Sequence, residues 1–399
     1  MTRSDAIIAQ AEQYSARNYD PLPVVIERGE GVWVWDADGN KYLDCLSAYS
    51  AVNQGHCHPR ILAALTEQAG RIAITSRAFH NARLGAFLEK LCKLTQMDLA
   101  LPMNTGAEAV ETAVKAARKW GYVVKGVADD AAEIIVCSHN FHGRTITAVS
   151  ASSEPAYRTH FGPFTPGFVW VPHGDLAALE AAITERTVAF LLEPIQGEGG
   201  ILIPPEGYLS AARKLCRERN VLFVLDEIQT GLGRTGELFC YQHEADAKPD
   251  MMVVGKALGG GVYPISAALS RREILGLFEP GEHGSTFGGN PLAAAVGDAA
   301  LDVIVEEDLA ARSKAMGEYL LEQLRAINTV KVEEIRGRGL FVGVEIRQEA
   351  GPARPICEEL MRLGLLTKET HKQVIRIAPP LTIETEEVDW LVAQFRKVL

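Results

Sequence analysis

Asp226 and Lys256 each follow a short apolar run, VLFVL (221–225) before the aspartate and MMVVG (251–255) before the lysine. A carboxylate at the end of a buried strand needs a cationic or hydrogen-bonding partner, because an isolated buried charge is strongly disfavoured. A lysine in a glycine-rich turn such as GKALGGG approaches a ligand closely, and once desolvated its amine condenses with an aldehyde. A third feature is NTGAEAVETAVKAARKW (104–120). Here Ala109, Val110, Ala113, Val114, Ala117 and Trp120 make one apolar stripe, and Asn104 or Thr105 suits the N-cap, so Gly106 opens a helix whose first amides are unpaired. Such a terminus holds a phosphate through its N–H groups and the helix dipole. An aspartate for a pyridinium nitrogen, a lysine for an aldehyde and a helix terminus for a phosphate together describe a site for pyridoxal phosphate. Plainer assignments use the same residues: a well-capped helix, and a buried salt bridge between Asp226 and Lys256. Spacing alone does not separate these from the first.

The elements that must position these residues are legible as apolar runs. EIIVC (133–137) leads into SHNFHGR, VAFLL (188–192) into EPIQGEGG, VLFVL into DEIQTG and MMVV into GKALGGG, with helical patterns such as 207–219 between them. Unbroken apolar strands alternating with helices predict an α/β domain whose mainly parallel sheet is covered on both faces. Open sheets of this kind bind ligands at the carboxyl ends of their strands, so four polar strand ends predict one shared site. GVWVWDADGNKYLD near the start predicts a hairpin turning at Asp38-Gly39. After about residue 300 the pattern becomes α+β: VKVEEI, LFVGVEI, a helix at 356–363, VIRIAPPL and a last helix with Val388, Leu391, Val392 and Phe395 on one face. A large central domain with the chain termini forming a smaller one is the economical arrangement.

Several function classes are disfavoured. GLGRTG (231–236) matches G-x-G-x-x-G, but five residues separate it from its strand and the following ELFCYQHEADAKPD is a poor helix, so the context of a nicotinamide-dinucleotide site fails. A net charge of -11 disfavours nucleic acid. No apolar run approaches the roughly 18 residues of a membrane span. The seven cysteines contain no C-x-x-C pair, and His56, Cys57 and His58 in GHCHPR are adjacent residues that do not converge on one ion, so no metal is expected. The N-terminal apolar run ends after four residues, from which a cytoplasmic protein with reduced thiols is expected.

The motifs NTGAEAVETAVKAARKW, NFHGRT, EPIQGEGG, DEIQTGLGRTG, GKALGGGVYP and HGSTFGGNPL, in this order, resemble the class III pyridoxal-phosphate aminotransferases of fold type I. The resemblance runs from about Tyr14 to the C-terminus. NYDPLPVVIERG, SAYSAVNQGHCHPRI, TSRAF and VIRIAPPL are similar to the branch of that class that moves the δ-amino group of ornithine to 2-oxoglutarate. Enzymes of the same class acting on N-acetylornithine, 4-aminobutyrate or related ω-amines are the nearest alternative, and a dinucleotide-dependent oxidoreductase is a remote one.

The resemblance implies a role for each matching position. Lys256 binds the cofactor aldehyde and moves the proton, Asp226 pairs with the pyridinium nitrogen, and Gln229 contacts the ring hydroxyl. Phe141 stacks on the ring, and Thr105, Gly106 and Ala107 bind the phosphate together with Thr286 of a second subunit. Arg144 meets the distal carboxylate of glutamate and Arg376 the proximal one, with Glu198 covering Arg376 when ornithine is bound. Tyr19 and Tyr49 receive the amino-acid end of ornithine. The arrangement implied is a homodimer with shared active sites, or a higher oligomer built from it. Residues 1–49 form a segment packing with the small domain and the partner subunit, 50–299 the large cofactor-binding domain and 300–399 the small domain. His142 and His80 depart from relatives that have Trp and Tyr there, which leaves the catalytic set intact.

Overall fold

Successive residues of a strand face opposite sides of its sheet, and the four apolar runs use both sides. Ile135, Cys137, Phe190, Leu192, Phe223, Leu225, Met252 and Val254 enter one core, while Ile134, Val136, Ala189, Leu191, Leu222, Val224, Met251 and Val253 enter the other. This double burial is why the runs are unbroken rather than alternating. In the computed structural model, which describes residues 2–399, they form the strands Glu133–Cys137, Thr187–Leu192, Leu222–Asp226 and Met251–Val254, mutually parallel within a seven-stranded sheet.

Phe168–Val171 extends the parallel set at one edge, and Leu99–Met103 lies at the other. Between Leu99–Met103 and Met251–Val254 runs Ser266–Ser270, antiparallel to both neighbours. Two of these strands, Leu99–Met103 and Ser266–Ser270, carry little sequence signal. LALPM contains a proline and SAALS is built from small residues, so neither reads as a strand of β-branched residues. Helix Gly106–Trp120 lays its apolar stripe on one face of the sheet, and Tyr208–Glu218 and Pro291–Glu306 cover the other.

The C-terminal part folds as an antiparallel sheet of Val332–Arg338, Phe341–Ile346, Val374–Ile377 and Lys368–Thr370, against helices Leu309–Arg325, Arg354–Arg362 and Thr385–Val398. The N-terminal hairpin pairs Trp33–Asp36 with Lys41–Asp44. Its turn is organised by Asp36, whose carboxylate accepts from the N–H groups of Asp38 and Asn40, the Asn40 amide and the Tyr42 hydroxyl. Leu365–Leu366, from near the other end of the chain, joins this sheet in parallel with Lys41–Asp44. The first and last parts of the chain therefore meet. Among the described residues no helix is long and apolar enough to cross a membrane.

GLGRTG forms a buried loop that binds protein rather than opening a helix. Its Arg234 is fully buried, with Nη1 donating to Leu340 O (2.8 Å) and Pro379 O (2.6 Å) and Nη2 to Asn53 Oδ1 (2.6 Å). Burial lowers this guanidinium to about 9, with Asp44 opposing the shift. Gly233 at φ +90° and Gly236 at φ +96° turn the loop where an L side chain would be strained.

Candidate active site

The four strand ends converge. His142, from the turn after Glu133–Cys137, Glu193 after Thr187–Leu192, Asp226 at the end of its strand and Lys256 after Met251–Val254 line one cavity of about 170 Å³, with Phe141, Gly106, Ala107, Ile228 and Gln229. Lys256 and Gly106 also line a neighbouring cavity that includes Thr105 and Ala48. Ala48 lines a third, containing Tyr19 and Tyr49. Adjoining cavities thus lie between Asp226, Lys256 and the two tyrosines.

Thr105 is the N-cap of helix Gly106–Trp120. Its hydroxyl accepts from Glu108 N–H at 3.3 Å, while the Glu108 carboxylate accepts from Asn104 N–H (2.9 Å) and Thr105 N–H (2.8 Å). The reciprocal cap leaves the N–H groups of Gly106 and Ala107, without acceptors among the described residues, directed from a helix terminus that favours anions.

Asp226 is buried, and its Oδ2 lies 2.8 Å from Nδ1 of the equally buried His142. A carboxylate accepts, so Nδ1 donates. Burial acts to lower the His142 pKa, but the hydrogen bond and charge of Asp226 outweigh it and raise the value. Lys256 is driven down to about 8 by burial, against the pull of Glu198 and Asp226 and with help from Arg376. Its backbone has φ +44°, unusual for a non-glycine residue and consistent with a position held by its surroundings. Burial raises Glu193 to about 7, against His142, and Glu193 Oε2 accepts from Phe141 N–H at 2.9 Å.

Beyond Lys256, Arg376 on strand Val374–Ile377 is 2% exposed and donates through Nη1 to Glu198 Oε1 at 2.7 Å, whereas the Glu198 side chain keeps 23% exposure. Burial acts to raise the Glu198 pKa, but Arg376 wins and lowers it. The guanidinium lies 5.3 Å from the Tyr49 ring. Tyr49 sits in four consecutive left-handed residues, Ser47 to Ser50, at φ +41°, +48°, +60° and +67°. Such residues cost about 1–2 kcal/mol each. Polar contacts at both ends of the turn help offset this. Asp44 Oδ1 accepts from Leu46 and Ser47 N–H at 2.9 Å, Ser47 Oγ donates to Ala378 O, and Arg234 secures Asn53.

The other anticipated residues lie outside the first cavity. Arg144 is exposed, stacked 3.8 Å over the Tyr157 ring. Tyr157 in turn packs edge-on to Phe141 at 6.0 Å. Tyr19 is 69% exposed. Thr286 is exposed on a loop and is absent from the cavity lining of its own chain. Tyr157, Glu193 and Ile228 join the site without having been assigned roles from the sequence. The histidines of GHCHPR diverge, His56 to Asp44 (2.8 Å) and His58 to Glu307 (3.0 Å).

The cavity fits pyridoxal phosphate. The buried Gln229 Nε2 has no hydrogen-bond partner among the described residues, and it shares the cavity with a lysine, a strand-end carboxylate and a free helix terminus. The parallel sheet with chemistry at its strand ends and this set of residues define a class: the chain belongs to the class III aminotransferases, whose family description, "Aminotransferase class-III", matches residues 14–399. It is a pyridoxal-phosphate-dependent aminotransferase of fold type I.

Within the family, the chain is 60% identical over 398 residues to the ornithine aminotransferase of Geobacillus sp. (strain WCH70), covering 100% of this chain and 99% of that protein. A structure of the ornithine aminotransferase from Toxoplasma gondii, with partial occupancy of pyridoxal phosphate at its active site, superposes with a TM-score of 0.97 at 45% identity, covering 99% of this chain and 93% of that one. The acetylornithine aminotransferase of Elizabethkingia anophelis superposes at 0.90 with 46% identity, covering 100% and 99%.

Proposed function

We propose that this enzyme transfers the δ-amino group of L-ornithine to 2-oxoglutarate, giving L-glutamate and L-glutamate 5-semialdehyde, which cyclises to pyrroline-5-carboxylate. The observation that carries the reading is the buried Arg376 covered by Glu198 beside Tyr49. Ornithine presents no carboxylate next to its reacting δ-amine, whereas glutamate presents one next to its α-amine. One pocket must serve both, and a guanidinium whose charge is cancelled by a movable carboxylate does so. The similarity to ornithine aminotransferases over the whole chain supports the same substrate.

In this reading Thr105, Gly106 and Ala107 hold the cofactor phosphate, with Thr286 supplied by a second copy of the chain. Phe141 stacks on the ring, Gln229 meets its hydroxyl and Asp226 its nitrogen. Pyridoxal phosphate, when bound, supplies an electron-withdrawing ring that accepts the electron pair of the carbon losing its proton. Asp226 keeps the ring nitrogen protonated, and His142 behind it donates Nδ1–H to the Asp226 carboxylate and so fixes its orientation. Lys256, lowered to about 8, is basic enough to take the proton from Cδ of ornithine and neutral often enough near pH 7–8 to do so. Glu193 fixes Phe141 through its backbone N–H. Tyr19 and Tyr49 receive the α-amino acid end of ornithine, Arg144 the distal carboxylate of glutamate, and Arg376 the proximal one once Glu198 has moved.

The same reading divides the chain at 1–49, 50–299 and 300–399 and makes the enzyme a cytoplasmic homodimer with shared active sites. Its reaction would link arginine and ornithine breakdown to proline and glutamate. Glu198→Ala tests the pocket: the ratio of the ornithine to the glutamate half-reaction rate should fall by about tenfold or more, since a charged hydrogen bond contributes roughly 1.5–3 kcal/mol. Stopped-flow absorbance of the cofactor reads both rates, and an unchanged ratio would refute the masking role.

A further inference from the structure

The Glu198–Arg376 pair opens cleanly only if the backbone carrying Glu198 stays fixed while its carboxylate moves. Three contacts hold that backbone. Thr370 Oγ1 donates to the carbonyl of Glu198 itself at 2.5 Å. Ile201, fully buried, has φ +56°, a conformation β-branched residues rarely adopt. It seats over Gly343, where an added Cβ would lie 3.2 Å from Ile201 Cβ and press on it. The third contact is Arg336. Its Nη2 donates to Gly200 O at 2.7 Å, and its Nε lies 3.1 Å from Gly200 O and 3.0 Å from Ile201 O.

Arg336 stands opposite Gly343 in the strand register, and its Nη1 is held by Glu334 and Glu345. Its side chain is 11% exposed. The C-terminal sheet therefore carries Arg376 on one strand and, through Arg336 on another, grips the loop that carries Glu198. Both halves of the ion pair are positioned from one rigid element.

We infer that Arg336 is a positioning residue for substrate specificity: by pinning the carbonyls of Gly200 and Ile201 it keeps the Glu198 carboxylate on Arg376, so that the side chain opens and the loop does not. The inference rests on the reading of Glu198 as the mask of Arg376. A loop released from Arg336 lets the carboxylate drift from the guanidinium, and Arg376 then meets α-carboxylates more often. The effect has the direction of Glu198→Ala and vanishes once Glu198 is absent, because residues acting through one another are not additive.

The test is a double-mutant cycle in the cofactor-loaded enzyme with Arg336→Met, Glu198→Ala and the double variant. It reads the ornithine and glutamate half-reactions and, without turnover, glutarate binding by calorimetry. Arg336→Met should lower the ornithine-to-glutamate ratio by about tenfold and tighten glutarate binding, and the double variant should match Glu198→Ala within about twofold. Equal losses in both half-reactions, or effects that add in the double variant, would make Arg336 a mere structural support and overturn the inference. If Glu198→Ala shifts the ratio and Arg336→Met does not, this inference alone fails; if Glu198→Ala leaves it unchanged, the masking role fails and takes this inference with it. Should Arg336→Met not fold, Arg336→Gln takes its place in the cycle, and the same outcomes support or overturn the role of Arg336.

Discussion

Lys256→Ala should lower turnover by at least about 10⁴-fold, the upper range of what one acid–base group contributes, because the same amine both anchors the cofactor and moves the proton. No neighbour replaces it. Among the residues lining its cavity, Glu193 is committed to Phe141 N–H and Asp226 to His142. Borohydride treatment of the variant should no longer fix the cofactor to the protein, as mass spectrometry would read directly. Multiple turnover near the wild-type rate would contradict the assignment. Stability should hold or rise, since a buried amine lowered from 10.5 to about 8 is a cost to the fold: the penalty is full below pH 8, where the fold must bury the charged form, and fades as pH rises from 8 to 10.5.

Asp226→Ala is expected to slow proton removal by about 10²-fold or more, the equivalent of a charge-assisted hydrogen bond worth roughly 3 kcal/mol. It also strips a buried partner from His142, whose Nε2 already lacks one. Breaking such a pair costs about 3–5 kcal/mol, so the melting temperature should fall as well. Asp226→Asn separates the two effects. Its amide keeps the shape and recovers part of the stability, yet carries no charge for the ring nitrogen, so the kinetic loss should remain. A primary isotope effect with δ-deuterated ornithine reports the step. A wild-type rate of proton removal in Asp226→Ala would remove Asp226 from its proposed role.

The parts of the site that could be read from the sequence are those whose chemistry is local. A strand ending in a carboxylate, a lysine in a glycine turn and a capping box each announce themselves within a few residues, and the rule that strand ends share a site brought His142, Glu193, Asp226 and Lys256 together. What escaped depends on contacts between distant segments. Arg336 meets Gly200 across 136 residues of sequence, and Arg234 reaches Pro379 across 145. Tyr157 joins the site only by packing on Phe141 and Arg144. The left-handed turn around Tyr49 contains no glycine or asparagine to signal it, since tertiary contacts rather than local preference hold it.

GLGRTG is the instructive case in the other direction. Its glycines match a nucleotide fingerprint whose context already fails in the sequence, and they shape a loop whose arginine binds the Leu340 and Pro379 carbonyls and the Asn53 side chain. The strands Leu99–Met103 and Ser266–Ser270 illustrate the same limit: a proline in one and small residues in the other give little strand propensity, and their neighbours place them in the sheet.

The central claim is that the δ-amine of unmodified ornithine is the donor. It is tested most directly by a single half-reaction of the cofactor-loaded enzyme with ornithine, following cofactor absorbance while an aromatic amine traps pyrroline-5-carboxylate, run beside the same reaction with N-acetylornithine. Trapped pyrroline-5-carboxylate appearing in step with the absorbance change, and faster for ornithine, is the predicted result; faster reaction of N-acetylornithine, or ornithine consumed without trapped product, would contradict it.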